Sequence, residues 1–190
     1  MEDHIQDTSN AESTQPGPSG AGLVRGFLGT AKAVLLSPRV FFPQMPVEGG
    51  LTGPYVFFLL CTSLFLVVSL ALNLGAGKGF DPKILLIILV ALVMPFVSAA
   101  LLNLFLTKLL GATGSYEASF RVVCYASAVN LVTWIPIIGI LGQIYEIYLS
   151  ALGLSIVYRT GMGRALLAVV CTAFTIFLAV TLVAQVIVGS

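Results

Sequence analysis

Between Val122 and Tyr158 the chain carries a single charged side chain, Glu146, in a run otherwise free of Asp, Glu, Lys and Arg. An ionisable group at membrane depth is costly and normally faces a partner or a wet cavity, so ion or solute chemistry would centre here. On a helix, Gln143, Glu146, Ser150 and Gly153 fall within about 80° of one face. Asn130, sharing a face with Ser127 and Trp134, and Asn103, aligned with Thr107, are the polar neighbours that other spans could supply. Glu146, Gln143, Ser150, Asn130 and Asn103 therefore form the candidate intramembrane polar site. Two plainer readings compete with it. Glu146 is about one turn from the Pro136–Gly142 segment and could reach the outer interface, or it could serve as a structural hydrogen-bonding group.

Other chemistry is scarce. The one histidine, His4, sits in the polar N-terminal tail, away from any apolar run, which removes His-based acid–base and triad chemistry. No Gly-Lys-Ser/Thr phosphate loop occurs. Gly153-Leu154-Ser155 lacks the nucleophile elbow and a histidine base, and reads as small residues on a packed helix. Cys61, Cys124 and Cys171 lie in different apolar runs without metal-ligand spacing, so buried thiols are the plain reading. The expectation is a protein that is not an enzyme and takes no metal or cofactor. A net charge of +1 leaves no basic patch for nucleic acid.

The elements that must position these residues are membrane helices. The composition, 58% hydrophobic against 9% charged, is far from the soluble norm and needs lipid as solvent. A span takes roughly 20 apolar residues. Such runs cover 54–74, 84–107 and 165–188, while 122–158 is long enough to be a hairpin broken near Pro136, Gly139 and Gly142. It reads as spans 122–138 and 141–158, with a re-entrant pair as the alternative. The fold class is thus all-α: a polytopic transmembrane helix bundle of about five spans, occupying 54–190. Pro95 predicts a kink in the second span. Thr62, Ser69 and Asn73 on the first span, and Thr172, Thr175 and Ala179 on the last, read as helix-contact positions.

Residues 1–21 read as a disordered, acidic, polar tail without the apolar core of a secretory signal, leaving the first span as the targeting signal. Residues 22–53 are a pre-span segment. Within it Leu23, Val24, Phe27, Leu28, Ala31, Val34 and Leu35 recur at helical spacing beside Arg25 and Lys32, predicting an amphipathic helix at the membrane surface near anionic headgroups. A short helix packed under the bundle is the alternative.

Loop cations set the orientation. With the N-terminus in the cytoplasm, Arg25, Lys32, Arg39, Lys108, Arg121, Arg159 and Arg164 lie inside and only Lys78 and Lys83 outside. This predicts a multi-pass protein of the cell (inner) membrane with its C-terminus outside.

Several motifs run in order from about Ala33 to Val188. They are Leu36-Ser-Pro-Arg-Val-Phe-Phe42, Met45-Pro46, Gly49-Gly50, Gly53-Pro54, Lys108-Leu-Leu-Gly111, Tyr116, Phe120-Arg-Val-Val-Cys-Tyr-Ala-Ser127, Ile135-Pro-Ile-Ile-Gly139, Ile144-Tyr-Glu-Ile147 and Gly153-Leu154. In order and spacing the chain resembles the Yip (Ypt/Rab-interacting protein) domain family of five-span membrane proteins, its bacterial branch best. The resemblance implies a membrane scaffold or accessory protein, assisting a transport or trafficking complex. Eukaryotic members contact Rab GTPases. Here the family's Asp-Leu-Tyr-Gly-Pro stretch is missing, Gly53-Pro54-Tyr55 being a faint echo, and no long cytosolic tail precedes it, which argues against a Rab-type partner. The expected partners are the lipid bilayer and other membrane proteins, with a homo-oligomer left open. A small transporter or channel with a polar path near Glu146 is the rival reading.

The orientation is testable. Cysteines introduced at Ser115 and at Gly161 should be shielded from an impermeant thiol reagent in intact cells, and one at Gly77 should react. Labelling at Ser115 without labelling at Gly77 inverts the topology.

Overall fold

The computed structural model describes residues 20–77 and 83–189. The acidic-tail reading and the outer loop cation Lys78 lie outside the described residues. The described residues form seven α-helices: α1 Gly20–Leu36, α2 Pro38–Gln44, α3 Thr52–Gly75, α4 Lys83–Leu104, α5 Tyr116–Ala126, α6 Pro136–Val157 and α7 Met162–Gly189. A π-helical turn, Phe105–Leu109, extends α4, and a 3-10 turn, Ser127–Leu131, extends α5. Among the described residues, four helical segments are long and apolar enough to cross a membrane: Thr52–Gly75, Ile88–Leu109, Ile138–Val157 and Met162–Leu182.

The 122–158 region differs from its sequence reading. The expected span 122–138 is not one helix. Its first residues belong to α5, which starts earlier, at Tyr116, capped by the Ser115 hydroxyl accepting from the Ala118 N–H at 3.2 Å. The 3-10 turn then ends the rod, and the break falls at 132–135 rather than within 136–142. Pro136 begins α6 instead of breaking the hairpin. A first-turn proline suits that place because its missing N–H would have had no helical partner. Gly139 and Gly142 sit in the first turns of α6, where they admit the neighbouring strand of chain. A Cβ on Gly139 would stand 2.7 Å from the Thr133 carbonyl, and one on Gly142 2.6 Å from the Thr133 methyl. The glycines mark close contact, not a loop.

Ser37 and Pro38 separate α1 from α2: the residue before a proline is driven out of the helical region, and Pro38 opens the next helix. The segment expected to lie at the membrane surface is helical, as α1, and protein covers part of its apolar stripe. Ala31 and Val34 are buried in the main core, while Leu28 and Leu36 remain exposed. Phe27 packs on Phe57 at a centroid distance of 5.3 Å, Phe57 on Tyr125 at 5.3 Å, and Tyr125 on Phe41 at 5.1 Å. This aromatic row ties α1 and α2 to α3 and α5. A second cluster gathers Tyr55, Phe58, Phe96, Tyr116 and Phe120 between α3, α4 and α5.

α4 runs helical through Pro95 from Lys83 to Leu104. Carbonyls on either side of the proline accept hydroxyls from neighbouring helices: Leu92 from Tyr55 at 3.1 Å and Phe96 from Tyr116 at 3.3 Å. Neighbouring side chains commonly meet backbone groups near a proline in this way in lipid.

A close crossing lies between α5, α2 and α6 at Gly153. A Cβ there would meet the Val122 methyl at 2.7 Å and the Phe42 ring at 2.8 Å. Phe42, Val122, Leu149 and Leu154 are all fully buried around it. Gly153→Ala should therefore lower the detergent melting temperature, with a net cost of about 1–2 kcal/mol once the helix gain of alanine is set against overpacking. Gly163→Ala, with open space around the added methyl, should be neutral or stabilising. Equal melting of both variants would mean that α5 and α6 do not approach this closely.

Candidate functional site

The five sequence candidates do not form one cluster. Gln143 is exposed, while Glu146, Ser150, Asn130 and Asn103 are partly buried. Among the described residues no side-chain hydrogen bond or ion pair engages Glu146, Gln143, Ser150 or the Asn130 amide. Asn130 contributes only its backbone carbonyl, which accepts from the Thr133 hydroxyl at 3.3 Å. Because α6 starts at Pro136, Glu146 lies about 15 Å along the helix, far more than one turn from its start. It borders the face that Gly142, Leu149 and Gly153 turn towards α5 and its 3-10 extension.

Asn103 belongs elsewhere. Its side-chain oxygen accepts from the Tyr158 hydroxyl at 2.8 Å. The same hydroxyl lies 2.6 Å from the Ser119 hydroxyl and 3.0 Å from the Ser115 carbonyl. With one proton to give, Tyr158 donates to Asn103 or to Ser115, and Ser119 can donate to Tyr158. Tyr158 and Ser119 are buried. The knot joins the end of α4, the start of α5 and the end of α6. Its geometry depends on the α6 terminus, where Arg159 takes φ 48° and Thr160 N–H reaches back to Ser155 at 3.0 Å. That is the helix stop usually made with glycine. Gly114 is required beside it, because a Cβ would stand 2.3 Å from the Tyr158 ring.

A second polar group has a tighter geometry. Arg121 is buried on α5, one helical turn after Glu117. Its guanidinium donates to Glu117 Oε1 at 3.0 and 3.2 Å and to the Gly50 carbonyl at 2.8 Å. The Gly50 N–H returns to the same Oε1 at 2.6 Å. Carboxylate, guanidinium and one peptide thus close a ring that pins the Gly49–Gly50 loop to α5. Gly49, at φ 122°, has the guanidinium 3.2 Å from where its Cβ would be, so both backbone shape and space favour glycine.

Sequence reasoning missed Arg121, Glu117, Tyr158 and Ser119. The sequence reading uses Arg121 only as a loop cation. The readable signal is Glu117 and Arg121 at i, i+4 beside an otherwise apolar region. Nothing in one sequence pairs Tyr158 with Asn103. The helix-contact positions are mixed. Thr175 and Asn73 satisfy themselves on their own helices, through the Cys171 and Ser69 carbonyls at 2.8 Å each. Thr62 and Thr172 are buried with hydroxyls lacking a partner among the described residues.

Chemically, these groups hold elements together. Among the described residues no group of three His, Cys, Asp or Glu is placed to bind a metal ion. The family model for the Yip1 domain matches residues 32–184, which takes in both polar groups and Glu146. Comparisons with curated proteins and with solved structures return no match.

The Tyr158 knot predicts a measurable coupling. Tyr158→Phe should orphan Ser119 and Asn103 and cost about 1–3 kcal/mol of stability, read as a lower melting temperature. Adding Ser119→Ala to it should cost less than Ser119→Ala alone in the native background. Strict additivity would mean the hydroxyls act independently.

Proposed function

The chain belongs to the Yip1 domain family of membrane proteins, and from that premise we propose that it is a non-catalytic scaffold or accessory subunit for a membrane transport or trafficking complex. The observation supporting this most directly is how the polar side chains are used. Arg121, Glu117, Tyr158, Ser119 and Asn103 are engaged with one another and with backbone. No chain of polar side chains links them to Glu146 among the described residues. A solute path needs a polar lining, and a scaffold needs a stable shape with lipid-facing helix surface for partners. α3, α4 and α7 supply that surface: Leu64, Val67, Leu89, Val93, Phe174 and Phe177 are all exposed.

In this reading the protein sits in the cell membrane with its N-terminus inside. α5 and its 3-10 extension make the fifth, composite crossing: about 17 Å of α-helix and 10 Å of 3-10 helix come close to a bilayer core. The lipid-facing part of α1, around Leu28 and Leu36, rests in the cytoplasmic interface. Rab-type GTPases are not partners in this proposal, since the stretch that would contact them is missing.

The transporter alternative rests on Glu146 alone. Tagged full-length protein, purified from native membranes in mild detergent, should bring down a stoichiometric membrane-protein partner. Glu146→Gln should keep both the melting temperature and that partner, because the amide preserves shape and most hydrogen bonding. Normal melting with lost complementation of a deletion phenotype in Glu146→Gln, together with solute flux in liposomes by the native protein, would establish the transport reading instead.

A further inference from the structure

α2 lies along the outer flank of α6. The Tyr145 hydroxyl donates to the Leu35 carbonyl at 2.7 Å, and its ring stacks on Tyr148 with centroids 5.8 Å apart. Arg39 Nε then donates to the Tyr148 hydroxyl at 3.4 Å. That contact uses one guanidinium N–H of five and leaves the paired outer nitrogens uncommitted. Arg39 is exposed, and the one ion pair among the described residues is Glu117–Arg121.

The setting of Arg39 is not that of an ordinary surface cation. On its own segment it stands between Leu36, 72% exposed, and Val40, 58% exposed. On the α6 strip that runs from Tyr148 towards the start of the helix at i−4 and i−8, Ile144 is 62% and Ile140 70% exposed. A cation with free donors at the edge of an apolar membrane-facing surface is matched by an anion that carries its own apolar chains. The planar fork suits phosphate oxygens in two-point fashion.

We propose that Arg39, oriented by Tyr148, seats the phosphate of an anionic phospholipid whose acyl chains lie along Ile144 and Ile140 of α6. The recognised chemistry is a phosphate group. The apolar strip running from Tyr148 towards the start of α6 identifies its source as lipid and not free phosphate.

The test uses the full chain in mild detergent, with native mass spectrometry of retained lipid after addition of phosphatidylglycerol or phosphatidylcholine. The native protein should retain phosphatidylglycerol in preference, and inorganic phosphate at millimolar concentration should not displace it. Arg39→Gln should reduce retention about tenfold, the scale of one charge-assisted hydrogen bond. Tyr148→Phe, which keeps ring and cation but frees the guanidinium, should reduce it by a smaller factor. Lys32→Gln, an equal charge change at an exposed position on α1, should leave retention intact. Equal losses in Arg39→Gln and Lys32→Gln would mean diffuse attraction and overturn the site. So would equal retention of phosphatidylcholine, or displacement by inorganic phosphate. Should Arg39→Gln lower the melting temperature, Tyr148→Phe decides: unchanged retention in that variant overturns the proposal.

Discussion

Water is absent from the interior of a bilayer, so a polar group there must be satisfied by the chain itself or stay at the edge. That constraint organises this molecule. Arg121 is the clearest case. A guanidinium buried alone would carry a heavy desolvation cost, and removing one partner of such a pair typically costs about 3–5 kcal/mol. The chain answers with Glu117 one turn away and the Gly50 peptide across a loop. The arrangement draws the pre-span loop onto α5 and sets where α3 begins, at Thr52. From there Tyr55 reaches the Leu92 carbonyl one turn before Pro95, so the entry point of α3 and this part of α4 are fitted to each other.

The Tyr158 knot does the same work along α6. Its three partners come from α4, from the residue preceding α5 and from α5 itself. Between this knot and the 3-10 turn, α5 and α6 have no room for side chains at Gly142 and Gly153. Small residues at such crossings let backbones approach where lipid provides no hydrophobic drive for helix association. Polar closure at one end and close packing along the length hold the two helices in register. Phe42 then fills the seam beside Gly153, which brings α2, and with it Arg39, against α6.

Membrane class and the long helices were legible because they depend on average apolarity over many residues. Runs at 54–74, 84–107 and 165–188 correspond to α3, α4 with its π extension, and α7 to within a few residues. The 122–158 region was not legible in the same way. Hydropathy alone cannot tell a helix from a 3-10 turn, and proline can open a helix as readily as end one. Pro136 opens α6, and the glycines after it serve contact. The candidate site was read from polarity in one dimension. Asn103 was recognised as a polar residue within a span, but its partner, Tyr158, lies on another helix and itself reads as an apolar-run aromatic. Glu146 was conspicuous in sequence because it was alone, and it remains without a polar partner among the described residues.

That solitude separates two kinds of polar residue in one domain. Groups needed to define the fold come with short, named partners: Arg121 at 2.8 Å from Gly50, Tyr158 at 2.6 Å from Ser119. Glu146 and Arg39 differ, as neither belongs to such a closed set of partners among the described residues. Arg39 keeps one long contact, to Tyr148 at 3.4 Å, and stands among exposed apolar side chains. Glu146 is half-buried on the border of the α6 inner face. A charge that the fold neither encloses nor needs for closure can be met by what surrounds the protein: headgroups, or the surface of another protein. Arg39, at an apolar edge, fits the first. Arg121, Glu117, Tyr158, Ser119 and Asn103 are engaged with one another and with backbone and so fix the helices by themselves, whereas the outer donors of Arg39 stay at the apolar edge of α6.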